Sequence, residues 1–407
     1  MLTFEYIARN PSTGEKVTAE VQADSVGAAG RLVHEEGLAP ISIKIKGGTG
    51  SQRLVERYLH RIKSKDKVLF SRQLSTLINA GLPLVQSLRN VMGQTENKAL
   101  KARIGTIISD VEGGSSFSSA LNKHPDTFNR VFVSLVAAGE TSGTLDASLE
   151  RLANQQEKDA EILSKVRGAF IYPAIVLLVM VGVVTFMLVK VLPQVQTLYD
   201  GIKGVSLPLV TQILLAVSNF VIRFWYIMVI LAVLGTVFMS RWARTIGGKT
   251  VVDKVKMTAW PFGPLFMKLY MARFARTGQT LVASGVPLIQ MLEITGDAVN
   301  NVHVERSLAK AIEQVKGGKA LSDSLTDDPN FLPLVPNMLH IGEESGAIEA
   351  MMGKIADYYE KEVDNQIRNI STLIEPVLMV ILGLVAFTIV AAILLPIYGL
   401  ADKTIIR

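Results

Sequence analysis

The feature that most restricts this chain is a run without charge, AFIYPAIVLLVMVGVVTFMLV, over residues 169–189. At about 1.5 Å of rise per residue, a helix of that length crosses a hydrocarbon core of roughly 30 Å. Pro173 stands near its start and Pro193 just past its end. The pattern returns as PVLMVILGLVAFTIVAAILL, which opens on Pro376 and is followed by Pro396. Two anchors of one design, each preceded by helical sequence, point to a helical membrane protein built on a duplicated unit.

The duplication reaches well beyond the anchors. FSRQLSTLINAGLPLVQSL (70–88) aligns with FARTGQTLVASGVPLIQML (274–292), and VEGGSSFSSAL (111–121) with VKGGKALSDSL (315–325). HPDTF (124–128) aligns with DDPNF (327–331), and AAGETSG (137–143) with HIGEESG (340–346). In the first copy, breaks at Gly81-Leu82-Pro83, Gly113-Gly114, Pro125 and a loop over 139–143 separate six helices. Their expected spans are roughly 66–80, 84–93, 96–112, 116–122, 128–138 and 144–168, with glycine closing helices and proline opening turns. Short helices with short loops make a compact bundle. One departure stands out in the second copy: Thr277-Gly278 replaces Gln73-Leu74. A glycine inside that helix is expected to loosen it.

Two bundles that feed spans in the same direction need a return span between them. FWYIMVILAVLGTVFMS (224–240) lies uncharged between Arg223 and Arg241 and opens on an aromatic belt. An amphipathic helix over 206–222 is expected on the outer surface. Fusing it with the span would put Arg223 in mid-membrane, which is costly, so two separate elements are expected. Lys165 and Arg167 flank the first span and place the bundles in the cytoplasm. The expected fold is an all-α membrane protein with two tandem cytoplasmic six-helix bundles, three transmembrane helices and a small N-terminal ββαβ module.

The N-terminal module occupies 1–48, with alternating strands and a helix over Ser25–Glu36. It has no apolar signal region, so the first span is expected to act as the insertion signal. A basic linker helix follows over 49–67. The first bundle takes 68–168, the first span 169–192, an outer segment 193–223 and the second span 224–240. The second bundle takes 241–371, the third span 372–396 and a short outer tail 397–407.

Composition removes several functions. The 407 residues include no cysteine, which excludes disulfides and thiolate chemistry. The net charge is +6, and most Lys and Arg residues fall in two polar blocks, 1–168 and 241–371. No basic face interleaves with aromatics, so nucleic acid is not an expected partner. The five histidines are scattered and form no catalytic set. ARTIGGKT (243–250) imitates a phosphate-binding loop, but that motif needs a strand before it and an acidic strand end downstream. No cofactor and no metal are expected.

The most distinctive polar signals are two corners, Gly139-Glu140 with Gly143, and Gly342-Glu343 with Gly346. One reading is structural, the glutamate capping a neighbouring helix N-terminus. The other is a docking corner for a partner, and a carboxylate cation site is a third. Glu375, beside Pro376 at the edge of the third span, is a candidate contact for a membrane-embedded partner; the alternative is an interfacial acid among headgroups. Lys190 is expected to snorkel.

These residues in this order resemble the inner-membrane platform family of type IV pilus and type II secretion machines, the PilC/GspF kind. The resemblance rests on the N-terminal module, the duplicated FSRQLSTLINAGLPL segment, the Gly-Gly turns, the corners, Tyr172-Pro173 and Glu375-Pro376, and Trp260-Pro261-Phe262-Gly263. It covers nearly the whole chain. It implies a non-enzymatic adaptor whose partners are a hexameric assembly ATPase, pilin or pseudopilin subunits, inner-membrane alignment proteins, membrane lipid and further copies of itself as a homo-oligomer. Two rival readings are an oligomeric transporter or channel, and an ATPase in its own right. Few polar residues in the spans and a parallel repeat speak against the first.

Overall fold

The computed structural model describes residues 2–9, 16–23, 26–45, 62–194, 197 and 209–405. It forms two compact units, Met1–Asp66 with Thr95–Arg103, and Lys67–Gln94 with Ile104–Arg407. In the first unit, β1 (Leu2–Arg9), β2 (Lys16–Ala23), α1 (Val26–Glu35) and β3 (Ala39–Ile45) make the expected ββαβ module. The antiparallel sheet has the order β2-β1-β3. Tyr6 and Ala8, two apart and so on one face of β1, bury against Val33 of α1. The Tyr6 hydroxyl donates to Glu36 at 2.9 Å. Most of the basic helix expected over 49–67 lies outside the described residues; the chain is helical from Ser64.

The first repeat holds α2 (Ser64–Asn79), α3 (Leu84–Gln94), α4 (Lys98–Glu112), α5 (Phe117–Asn122), α6 (Arg130–Ser142) and α7 (Leu145–Phe186). After α8 (Leu209–Trp242) and α9 (Ile246–Thr258), the second repeat holds α10 (Gly263–Ala283), α11 (Leu288–Val299), α12 (Val302–Lys316), α13 (Leu321–Leu325), α14 (Leu334–Ser345) and α15 (Ile348–Ile405). The two cores reuse one aromatic pair. Phe70 and Phe128 have ring centroids 5.6 Å apart, and their counterparts Phe274 and Phe331 are 5.3 Å apart.

Among the described residues three helices are long and apolar enough to cross a membrane: Leu145–Gln194, Leu215–Trp242 and Ile348–Ala391. The first and third run from bundle into span without a break, passing Pro173 and Pro376 inside the helix. A π-helical turn at Met187–Val191 prolongs the first. The Leu188 carbonyl accepts from the Ser218 hydroxyl of α8, which ties these two helices together.

Two expectations fail here. The amphipathic helix and the return span are not separate elements, because α8 is continuous over the described part of both. Its 34 residues reach about 51 Å, far more than the hydrocarbon thickness. Arg223 lies inside this continuous helix, so the cost that was expected to separate the two elements does not break it. Nor does the helix stop at Pro396, since α15 continues to Ile405. Proline removes one hydrogen bond, whereas ending the helix in an apolar setting would orphan several backbone groups.

The repeats pack on each other within the second unit. Ile162 of α7 enters a cluster with Leu265 and Leu269 of α10 and Val363, Ile367 and Ile370 of α15. Gln155 donates to Thr277 at 2.9 Å in a buried contact, and Arg151 donates to the Ala283 carbonyl at 2.6 Å. Arg130 pairs with Asp297 at 2.9 Å and Glu293 at 3.3 Å; Lys165 pairs with Asp364 at 2.7 Å. The expected loosening at Gly278 is not seen, because α10 is unbroken. A Cβ there would lie 2.6 Å from Met352 Sδ, so the glycine makes room for methionine. The equivalent first-repeat positions are Leu74, Leu149 and Ser87, where the bulk sits on the other helix.

Candidate functional site

The two corners fold alike, and not as the loop expected over 139–143. Helix α6 continues to Ser142 and α14 to Ser345, so Glu140 and Glu343 lie in final helical turns. Gly143 and Gly346 then close these helices at φ 70 and φ 67, the left-handed conformation that glycine adopts without strain. Gly139 and Gly342 serve close approach instead. A Cβ on Gly139 would come 2.7 Å from Ser148 Cβ, and one on Gly342 would come 3.1 Å from Ile348 Cα. Each corner is thus a tight crossing of two helices.

Each glutamate spends its carboxylate on a neighbouring helix. Glu140 accepts from the amides of Phe117 at 2.5 Å and Ser118 at 2.9 Å, at the start of α5. Glu343 accepts from the amides of Leu321 at 2.6 Å and Ser322 at 3.1 Å, at the start of α13. Those amides have no partner inside their own helices, and a negative charge there also meets the positive end of the helix dipole. The capping reading of the corners therefore matches the geometry. Both carboxylates are engaged within their own bundles, which leaves the adjoining turns as the exposed part of each corner.

Glu375 lies far from both corners in sequence, on α15 where the helix enters its apolar stretch. It is exposed and makes no hydrogen bond or ion pair among the described residues. Its neighbour Ile374 packs on the cluster that joins the repeats. The phosphate-loop imitation at 243–250 follows a helix and not a strand, and opens α9.

A further repeated cluster was not singled out from the sequence. Arg72 of α2 donates to Glu157 at 2.6 Å, Glu150 at 3.0 Å and Asn154 at 2.6 Å, all on α7. Its counterpart Arg276 donates to Glu360 at 2.8 Å and Asp357 at 2.6 Å on α15. Each arginine clasps the first long helix of its repeat to the helix that enters the membrane. Hydrogen bonding from Arg72 holds the Glu157 carboxyl below its ordinary range. For Glu150 the Ser75 hydroxyl is the largest cause in the same direction, with Arg72 behind it. The signal was present as the arginine shared by FSRQ and FART, with one glutamate, Glu157 or Glu360, at the matching place downstream.

Between the repeats, Asp159 is half-buried near Arg273, Arg276 and Glu360, and burial lifts its carboxyl above the usual range.

Comparison with known proteins bears on the whole of this arrangement. The family model described as "Type II secretion system (T2SS), protein F" matches twice, at 70–193 and 274–396. These two matches coincide with the two repeats. The chain is 38% identical over 401 residues to a type IV pilus assembly protein PilC of Thermus thermophilus, covering 98% of each. It is 36% identical over 390 residues to a PilC of Myxococcus xanthus, covering 96% of this chain and 93% of that one. It is also 32% identical over 406 residues to a type II secretion system protein F of Pseudomonas aeruginosa, covering 98% of this chain and 99% of that one.

Proposed function

The chain belongs to the type II secretion system protein F family, and from that premise we propose that it couples a cytoplasmic assembly motor to pilin-like subunits in the membrane. It is a multi-pass membrane protein of the pilus and secretion platform family. Under the proposal a hexameric ATPase engages the bundles from the cytoplasm. Motion of the bundles is passed to the spans, where pilin or pseudopilin subunits are added to a fibre. Basic residues at the bundle ends of the spans, Lys165, Arg167, Arg241 and Arg244, support a cytoplasmic location for both bundles. The platform needs no catalytic set of its own, because the energy comes from the motor.

One observation carries the coupling. Both α7 and α15 run without a break from a packed bundle into an apolar span. An unbroken helix transmits rotation and translation along its axis, whereas a loop at the membrane surface would absorb them. The docked repeats further make the two helices move together. We place motor docking at the turns around Gly143 and Gly346, with Glu140 and Glu343 holding their shape. Glu375 faces the subunit in the membrane.

The coupling is tested by inserting two glycines after Gly168, between bundle and span. Fibre assembly or secretion is expected to fail while the protein remains in the membrane and still co-purifies with its motor. Assembly at the normal level would refute transmission through α7. The corners are tested with Glu140→Ala and Glu343→Ala, which should weaken motor co-purification more than they lower the melting temperature. Equal losses in both would leave the corners with a structural role alone.

A further inference from the structure

Helix α9 has no counterpart among the described residues of the first repeat. Its inner face is firmly held. Asp253 is 2% exposed, accepts from the Val302 amide at 3.2 Å and so caps α12, and pairs with Lys256 at 3.2 Å. His303 Nε2 lies 3.1 Å from the Thr250 carbonyl oxygen. The opposite face is apolar and bare. Val251 and Val255, four apart and so on one side, are 50% and 54% exposed. Trp260 just beyond the end of the helix is 82% exposed, whereas Ile246 at its start, 85% exposed, stands seven residues before Asp253 and so on the held side.

Both ends of α9 are fixed at the feet of membrane spans. It begins four residues after Trp242, the last residue of the second span. Gly248 is pressed so closely on Trp242 that a Cβ would collide with the Trp242 carbonyl oxygen. At the other end, Phe262 lies two residues past Trp260. Its ring centroid is 5.5 Å from that of Phe170, at the start of the first span. A helix of about 20 Å tied to two span ends on the same side of the bilayer runs along the bilayer surface. Its flanks carry Arg241, Arg244, Lys249, Lys254 and Lys256, cations suited to an anionic leaflet.

We propose that α9 and Trp260 form an in-plane membrane anchor, with Val251, Val255 and Trp260 seated among lipid chains and headgroups on the bundle side. This rests on the membrane-spanning reading, but not on motor coupling. The anchor fixes the level of the second bundle against the leaflet, and the first bundle is held there through its packing on the second.

The lack of cysteine permits a direct test with single spin labels on the full-length protein in phosphatidylethanolamine–phosphatidylglycerol vesicles. Labels go at Val251→Cys and Val255→Cys, with Thr76→Cys as the aqueous control and Val233→Cys as the span control. All four sites are on exposed surfaces, so folding is preserved. On transfer from detergent to vesicles, the labels at Val251 and Val255 should lose accessibility to a water-soluble nickel relaxant and gain it to oxygen. Labels at both sites that behave like Thr76, while Val233 reads as hydrocarbon, would overturn the anchor and leave the span intact. Nickel shielding that arises only when a soluble protein extract is added would also overturn it, in favour of a protein partner. If Val233 itself read as aqueous, the span would fail and the anchor with it.

Discussion

The two repeats share their framework and differ where each has something to touch. Shared are the aromatic pair, the arginine clasp and the glutamate cap. One set of differences lies on the interface between the repeats. Arg130, Arg151 and Gln155 form the face by which the first repeat packs on the second. The corresponding residues of the second repeat, Pro333, Lys354 and Tyr358, line an open groove instead. Likewise Thr277, which receives the buried bond from Gln155, stands where the first repeat has Gln73. Matching positions thus report what the bundle needs, and mismatched ones report which neighbour each copy has.

That division is best broken by exchanging residues between copies. Gly278→Leu puts the first-repeat residue into the second core, against Met352 and Met291. Overpacking of this kind costs about 3 kcal/mol, read as a lower melting temperature in detergent. Adding Met352→Leu and Met291→Ser, which completes the first-repeat set, should recover most of the loss.

The clasps come next, and should differ in weight. The Arg276 side chain is 19% exposed and its partner Glu360 15%, against 31% and 43% for Arg72 and Glu157. Arg276→Ala is expected to cost about 2 kcal/mol because it strands a largely buried carboxylate, and Arg72→Ala about 1 kcal/mol. The first clasp also has a pH signature. Carboxyls held below their unfolded value contribute stability that is complete above that value and is lost as pH falls through the folded one. The Arg72 clasp should therefore weaken on acidification below about 4.5, and Arg72→Ala should flatten that limb of the melting curve.

Glu140→Ala and Glu343→Ala each remove two amide caps and should cost about 1 kcal/mol, nearly alike in the two copies. A large disparity would mean that the corners are not equivalent.

Asp159 gives the smallest effect, with the opposite sign. A carboxyl raised above its unfolded value favours folding most at low pH and loses that advantage as pH rises through its folded value. Asp159→Asn is expected to raise the melting temperature slightly at pH 7 and leave it unchanged at pH 3.

Much of the framework was legible because duplication doubles each weak signal. A single Gly-Glu pair says little; the same pair at 139–140 and 342–343, each after a helical run, marks a structural device. The misreadings share one cause, a local rule applied without length or packing. Arg223 looks fatal to one long helix, yet α8 runs unbroken past it. Gly278 looks weak as a helix residue until Met352 fills its place. Gly139 looks like a loop residue, yet it lies in a helix pressed on Ser148. The arginine clasps and the bare face of α9 depend on which helices meet, and no local pattern carries that.

Placement of both repeats on one side of the bilayer is the claim on which the rest stands. It is measured most directly with single cysteines at Thr76, Lys310 and Gln194, exposed residues of the first repeat, the second repeat and the far end of the first span. A membrane-impermeant maleimide added to intact cells, with their outer barrier opened, should modify Gln194→Cys alone and reach Thr76→Cys and Lys310→Cys only after the inner membrane is permeabilised. Labelling of one repeat but not the other in intact cells would contradict the account.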